Sequence, residues 1–229
     1  MEKNWISFNG FNTKDNNIII EELNVPPKAE EKKDLITIEG RNGYLTLDYD
    51  CYDSIDYEIQ LNMYDMLKQV DLIKKFFRGS GELFISKCPD VVYKATIIGN
   101  IEFNRTLGKT GNCIINFKLQ PLSYVKDVSS IEITSSTTIT NNYNSISFPY
   151  IIVLGSGNGN LYINDETITF TSIDGFVELD CELENCYKDN NNCNKYMIGD
   201  FPVLKEGDNN ISFDGNITSI IINPKWRKL

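Results

Sequence analysis

The chain carries no histidine. That removes Ser-His-Asp and Cys-His nucleophile arrangements and imidazole metal sites together, because each needs a ring nitrogen that titrates near neutrality or ligates a metal. The other candidates for chemistry are sparse. Gly155-Ser156-Gly157-Asn158-Gly159 is a glycine-rich run, but no Lys-Ser/Thr pair and no helix pattern follows it. It reads as a flexible hairpin turn rather than a phosphate cradle. Asp48 with Asp50, and Asp180 with Glu182, are carboxylate pairs that would share a strand face, as a glycan hydrolase requires. Acidic residues are frequent enough here that a solvated face explains both pairs better. Asp208-Asn209-Asn210 and Asp189-Asn190-Asn191-Asn192 offer oxygen atoms to a cation without the spacing of a calcium loop, so they read as turns. The six cysteines (Cys51, Cys88, Cys113, Cys181, Cys186 and Cys193) contain no C-x-x-C pair. A disulfide among the last three is conceivable. Free, mostly buried thiols in a protein made in a reducing compartment is the better reading. No cofactor, no metal and no enzyme activity is expected from these residues.

The elements that would position any site are mostly strands. Ile55 to Met63 alternates apolar and polar residues, as a half-buried strand does. The period then changes. Met66, Leu67, Val70, Ile73, Phe76 and Phe77 recur every three or four residues, with Asp65 at the start, Lys74, Lys75 and Arg78 at the end, and Gly79 as the stop. Acid first and base last suit the helix dipole, so one helix is predicted there, its apolar stripe packed on a sheet. Asn9-Gly10 is a turn. Lys28 to Asp34 is a charge run read as a solvated loop. Leu35 to Glu39 and Tyr44 to Asp48 alternate around Gly40-Arg41-Asn42-Gly43, and Asn-Gly between alternating strands predicts a hairpin.

Cys113 to Leu119 alternates and runs into Leu119-Gln120-Pro121-Leu122-Ser123-Tyr124-Val125-Lys126. Proline cannot donate to a sheet ladder, so the strand is expected to stop or become an edge there. Composition and charge also change at this seam. Residues 1–126 hold 16 basic against 18 acidic side chains, net −2, and residues 127–229 hold 6 against 14, net −8. Two domains are therefore expected, 1–126 and 127–229. After the seam come short runs such as Ile131-Glu132-Ile133, Leu161 to Asn164, Thr167 to Phe170, Phe176 to Asp180, Asn210 to Phe213 and Ile217 to Ile222. Asp165-Glu166, Asp174-Gly175 and Asp214-Gly215 separate them, which predicts a β-sandwich of roughly 100 residues. Asn185 to Lys195 reads as an exposed Asn-rich loop, and Trp226 as a packed C-terminal anchor. A net charge of −10 excludes wrapping of nucleic acid, though not a wall past which DNA slides. No signal peptide is visible in Met1 to Ile6, and no apolar run predicts membrane insertion.

The order of motifs resembles the distal tail protein family of long-tailed, non-contractile phages and prophages. The residues that carry it are Phe8-Asn9-Gly10; Ile38-Glu39-Gly40-Arg41-Asn42-Gly43-Tyr44-Leu45; the helix followed by Phe77-Arg78-Gly79-Ser80-Gly81-Glu82-Leu83 and Cys88 to Ala95; and Phe117 to Tyr124 with Phe148-Pro149, Gly199-Asp200-Phe201-Pro202, Gly207-Asp208-Asn209-Asn210-Ile211 and Pro224-Lys225-Trp226-Arg227. Phe76-Phe77 stands where the family commonly ends the helix with a longer apolar-Trp pattern.

The resemblance implies a mainly β, two-domain chain: an N-terminal β-sandwich or barrel-like domain with one α-helix, and a C-terminal galectin-like β-sandwich. It implies a structural, non-enzymatic tail component of the virion, made in the host bacterial cytoplasm. Residues 1–126 would form a homohexameric ring with a channel for passing DNA. Partners would be the tail tube protein and a tail-associated fibre, lysin or receptor-binding protein. Arg41, Asn42, Gly43 and Tyr44 would be candidate oligomer or hairpin contacts. The alternative is a carbohydrate-binding β-sandwich module, suggested by Tyr and Trp residues in the second half; a glycan hydrolase is the weakest reading.

Overall fold

The computed structural model describes residues 4–229. Met1–Lys3, part of the stretch read for an export signal, lie outside the described residues. The chain divides into two compact units, residues 4–126 with Leu229, and Asp127–Lys228. It is mainly β with one α-helix, and among the described residues no helix is long and apolar enough to cross a membrane.

The first unit runs β1 (Ile6–Phe8), β2 (Phe11–Asn12), β3 (Ile18–Ile19), β4 (Glu31–Thr37), β5 (Tyr44–Tyr52), β6 (Ile55–Met63), α1 (Met66–Phe76), β7 (Ser80–Ile85), β8 (Val91–Ile98), β9 (Phe103–Arg105) and β10 (Gly111–Val125). Its main sheet has the order β2-β1-β7-β8-β10-β6-β3, with β9 also on β10. Period-two alternation sorts the side chains as expected. Ile55, Tyr57, Ile59, Leu61 and Met63 of β6 are buried, as are Cys113, Ile115, Phe117 and Leu119 of β10. Asp56, Glu58 and Gln60 face out. At the first hairpin Phe8 opposes Phe11, and Asn9 and Gly10 take φ of 48° and 79°, as a two-residue turn of this hand requires.

The helix lies where the periodicity predicts, with two differences. Leu67 is 79% exposed, so the buried stripe is narrower than the spacing suggested. Asp65 precedes the helix and its side chain makes no cap. Instead Gln69, only 6% exposed, accepts the Asp65 N–H and donates to the carbonyls of Asn16 and Asn17, tying the helix start to the loop before β3. Phe77 follows the helix and packs on Phe8, Phe11 and Phe117.

Pro121 does not end its strand. β10 continues to Val125, and the residues between Leu119 and Ser123 bulge away from β8, whose partners Ala95 and Tyr93 are only two apart. A bulge leaves backbone groups outside the ladder, so a residue without an N–H costs nothing there.

The second unit is one sheet built on three long strands rather than many short ones: β11 (Ile131–Ile133), β12 (Thr137–Asn141), β13 (Tyr150–Ile163), β14 (Glu166–Asp180), β15 (Asn185–Lys188), β16 (Asn191–Asn192), β17 (Met197–Ile198) and β18 (Gly207–Asn223). The order is β11-β18-β13-β14-β15-β16, with β12 on β18 and β17 on β14. The expected turns at Gly155–Asn160, Asp174-Gly175 and Asp214-Gly215 all lie inside strands. They are in register: Gly155 opposes Gly175, and Gly159 opposes Gly215. A belt of glycines thus crosses the three central strands where the β13–β18 ladder shifts. It is small for a reason. A Cβ on Gly155 would sit 2.4 Å from the Asn216 carbonyl oxygen, and one on Gly215 would sit 2.8 Å from that of Asn158. Glycine lets neighbouring backbones close up at a bend, so the residues that read as loop breakers make a crease instead.

The Asn-rich stretch is likewise a hairpin, β15–β16, with Cys186 fully buried. Trp226 is 9% exposed and lies near Tyr143 within its unit. Replacing Gly155 with alanine is expected to lower the unfolding free energy by about 1–3 kcal/mol, the usual cost of forcing atoms into filled space. Denaturant unfolding measures it, and an unchanged midpoint would show that the crease opens freely.

Candidate functional site

Among the described residues no group of three or more His, Cys, Asp or Glu could hold a metal ion. The carboxylate pairs dissolve into local turns. Asp48 accepts the Asp50 N–H, with Asp50 at φ 50°, and Asp180 accepts the N–H groups of Glu182 and Leu183. Asp208 accepts the Thr140 hydroxyl, and Asn209 is fully buried and bonded to the carbonyls of Lys205 and Gly207. Asp189-Asn190 is the turn of β15–β16. Glu21, Glu22, Asn24, Glu58, Gln60 and Asn62 line an open polar groove beside β6.

On the second unit, Asp214 accepts from Asn160 and Tyr162, and Asn160 accepts from Thr169. The Tyr162 hydroxyl donated to the Asp214 carboxylate holds that acid below the usual range and raises the tyrosine. Tyr150 donates its hydroxyl to Glu178. The hydroxyls of these tyrosines are committed to neighbours and Trp226 is buried, whereas Tyr196 is exposed with Lys195 over its ring.

One element has nothing of its own to pack against. β4 and β5 form a separate two-stranded sheet in which every residue except Tyr52 is exposed. Thr37 opposes Tyr44, Ile36 opposes Leu45, Leu35 opposes Thr46 and Asp34 opposes Leu47. Opposed residues share a face, so Ile36, Leu45 and Leu47 form one apolar side, extended by Tyr49. Their exposures are 44%, 45%, 45% and 45%. Tyr49 donates to Asp34 on that side, which raises the phenol, and Lys32 lies over its ring. The other side carries Leu35, Thr37, Tyr44 and Thr46, with Lys33 bridging Glu31 and Asp48 near the base. Asp53 N–H to Glu30 carbonyl, 2.9 Å, closes the base.

Arg41, Asn42 and Gly43 sit in the tip, which is a six-residue connection from Ile38 to Gly43 rather than a two-residue Asn-Gly turn. Positive φ falls on Gly40 and Gly43, at 79° and 81°, and not on Asn42. Tyr44, 59% exposed, opens β5. The structure therefore brings all four candidates to one exposed end. The sequence reading missed the apolar residues behind them, Ile36, Leu45, Leu47 and Tyr49, because alternation predicts a covered face. The charge run was also misplaced as a loop: Glu31 to Asp34 are strand, solvated on both sides. That was the available signal, since a ribbon charged on both faces at its base has no continuous side to lay on a core.

A search of solved structures returned the crystal structure of SPP1 Dit (gp 19.1), described as a paradigm of the hub adsorption apparatus in phages infecting Gram-positive hosts. The match covers 100% of both chains with a TM-score of 0.78 and 13% sequence identity. The chain has the fold of SPP1 Dit. No family model and no curated protein matches the sequence. The resemblance to distal tail proteins read in the motifs is thus met at the level of the fold, over the full length of SPP1 Dit.

A two-stranded ribbon with two open faces and two open edges is marginal by itself in water. In the isolated chain the β4 and β5 amides are expected to exchange on the order of 100-fold or more faster than those of β6 and β10. Hydrogen exchange read by mass spectrometry tests this, and equal protection would mean the ribbon is held by its own chain.

Proposed function

We propose that this chain is a structural tail hub that joins a phage tail tube to its adsorption device. Six copies close a ring through their first units, and the β4–β5 hairpin of each reaches onto the next copy. The observation that carries the reading is the full-length likeness to SPP1 Dit. The exposed hairpin supports the mode of closure. A ring needs one heterologous interface per subunit, in which a feature on one copy meets a different surface on the next. An arm with an apolar side and unpaired edges is such a feature, and it gains most of its stability from being covered. Arg41, Asn42, Gly43 and Tyr44 are the tip contacts in this reading.

Charge supports the division of roles. A first half near neutrality packs against its copies with little repulsion, whereas −8 on each second half is better placed at the periphery. There the second unit, a galectin-like domain in this reading, carries a fibre, lysin or receptor-binding protein. The open face of the first sheet presents Asp56, Glu58, Gln60 and Asn62 on β6 and Asn116 and Lys118 on β10. Clustered cations would hold phosphates, and this face lacks them, as suits a channel wall past which DNA slides. The work is mechanical and the location is the virion tail.

Light scattering on the purified chain is expected to give a mass about six times 26.2 kDa, with rings in negative-stain images. Replacing residues 31–52 with a short Gly-Ser linker across the Glu30–Asp53 contact is expected to yield a folded monomer. A parent chain that stays monomeric at its highest attainable concentration, with no rings, overturns the proposal. A hexamer that survives the excision removes the hairpin from it.

A further inference from the structure

The ladder of the β15–β16 hairpin pairs Tyr187 with Asn192 and Lys188 with Asn191. Continued by one step, it sets Cys186 directly opposite Cys193, and the Cys193 N–H donates to the Cys186 carbonyl at 2.8 Å. The reciprocal donor, the Cys186 N–H, turns to the Asn194 side chain at 2.6 Å. In a hydrogen-bonded antiparallel pair the Cα atoms stand about 5.5 Å apart and both side chains leave the same face. That separation lies at the centre of the range disulfides span, roughly 4.4–6.8 Å. On its other side Cys186 pairs with Leu179 of β14, which is fully buried, so the row Leu179–Cys186–Cys193 runs from the core of the second unit outward.

The two thiols differ in a useful way. Cys186 is fully buried, and burial pushes its thiol up to about 12, with Cys193 as a further contributor. Cys193 is half-buried and its Sγ reaches the Asn191 carbonyl at 3.5 Å, over the hairpin. An oxidant from solvent therefore meets Cys193 first.

We propose that Cys186 and Cys193 are a cross-strand dithiol that closes to an intramolecular disulfide under an oxidising disulfide such as oxidised glutathione. The Cys193 thiolate attacks one glutathione sulfur, forms a mixed disulfide and releases one reduced glutathione. The Cys186 sulfur then attacks Cys193 Sγ and loses its proton, and the second glutathione departs as a thiol. Two protein S–H bonds are lost, one protein S–S bond forms, and one glutathione disulfide becomes two thiols. The bond pins the hairpin that edges the second unit. Cys113 opposes Leu61 and Phe103, Cys181 and Cys88 lie in turns outside the ladders, and Cys51 is exposed on the β4–β5 ribbon. The inference does not depend on the tail reading.

The test is a non-reduced peptide map of the full chain after incubation with oxidised glutathione at mildly alkaline pH. The expected result is one linked peptide joining Cys186 to Cys193, with Cys113 and Cys181 still reduced and any adduct on Cys51 removed by Cys51→Ser. In Cys186→Ala, Cys193 is expected to keep a glutathione adduct. In Cys193→Ala, Cys186 is expected to stay reduced, which provides a second variant at a less buried position. A link to Cys181 instead, a persistent adduct on Cys193 in the unmutated chain, or Cys186 and Cys193 both reduced at the end, each overturns the proposal.

Discussion

Phe77 lies against Phe8, Phe11 and Phe117, with ring centroids 5.8, 5.5 and 6.4 Å away. Each of these rings buries a large apolar area, and edge-on and offset contacts add a little more. The cluster joins the end of the helix to the first hairpin and to the central strand β10. Its consequence is geometric. The first unit has one helix, and this cluster commits it to one face of the sheet. The other face of β6 and β10 then has no cover among the described residues and is mostly polar, with Ile114 exposed on it. The β4–β5 ribbon, inserted between β3 and β6 in sequence, has no second helix to lie on.

The same constraint explains what could be read from the residues. Where one side of an element is covered, burial and periodicity agree, and the pattern is sufficient. Ile55–Met63 is a strand of the expected length, and the helix lies on the expected residues but ends at Phe76, three residues before the Gly79 stop. Where covering fails, the pattern misleads. Leu35 to Leu47 alternate like a half-buried strand, yet none of the described residues covers them. Alternation reports that a face is meant to be buried, and it does not say by which molecule. Leu67, 79% exposed at a helix position with the right spacing, is the same error on a smaller scale.

Glycine was the other source of misreading, for a different reason. Asn9-Gly10 turns the chain because both residues take positive φ and their neighbours pair across them. Gly155, Gly159 and Gly215 belong to strands because the neighbouring backbone uses their lack of a Cβ, and Gly175, opposite Gly155, is held there by a φ of 80°. Nothing local separates these uses. The distinction lies in register, Gly155 against Gly175 and Gly159 against Gly215, which involves residues 20 and 56 positions apart in sequence. Pro121 belongs with them: it lacks a donor, and the bulge around it needs none.

These requirements also show how a fold can persist at 13% identity over the full length of both chains. A strand face needs apolar residues at alternate positions, a crease needs small ones, and a turn needs positive φ; few positions demand one side chain. The hairpin tip is the extreme case. Its backbone uses Gly40 and Gly43, with φ of 79° and 81°, and a Cβ at either would meet nothing within 4 Å. Only conformation restricts them, and the fold places no demand on Arg41, Asn42 or the Tyr44 ring beyond solvation. Side chains that the fold leaves free are the ones that can be fitted to whatever the tip touches. A tip of this kind can change its side chains while the ribbon behind it keeps the same pairing of Thr37 with Tyr44 and Ile36 with Leu45.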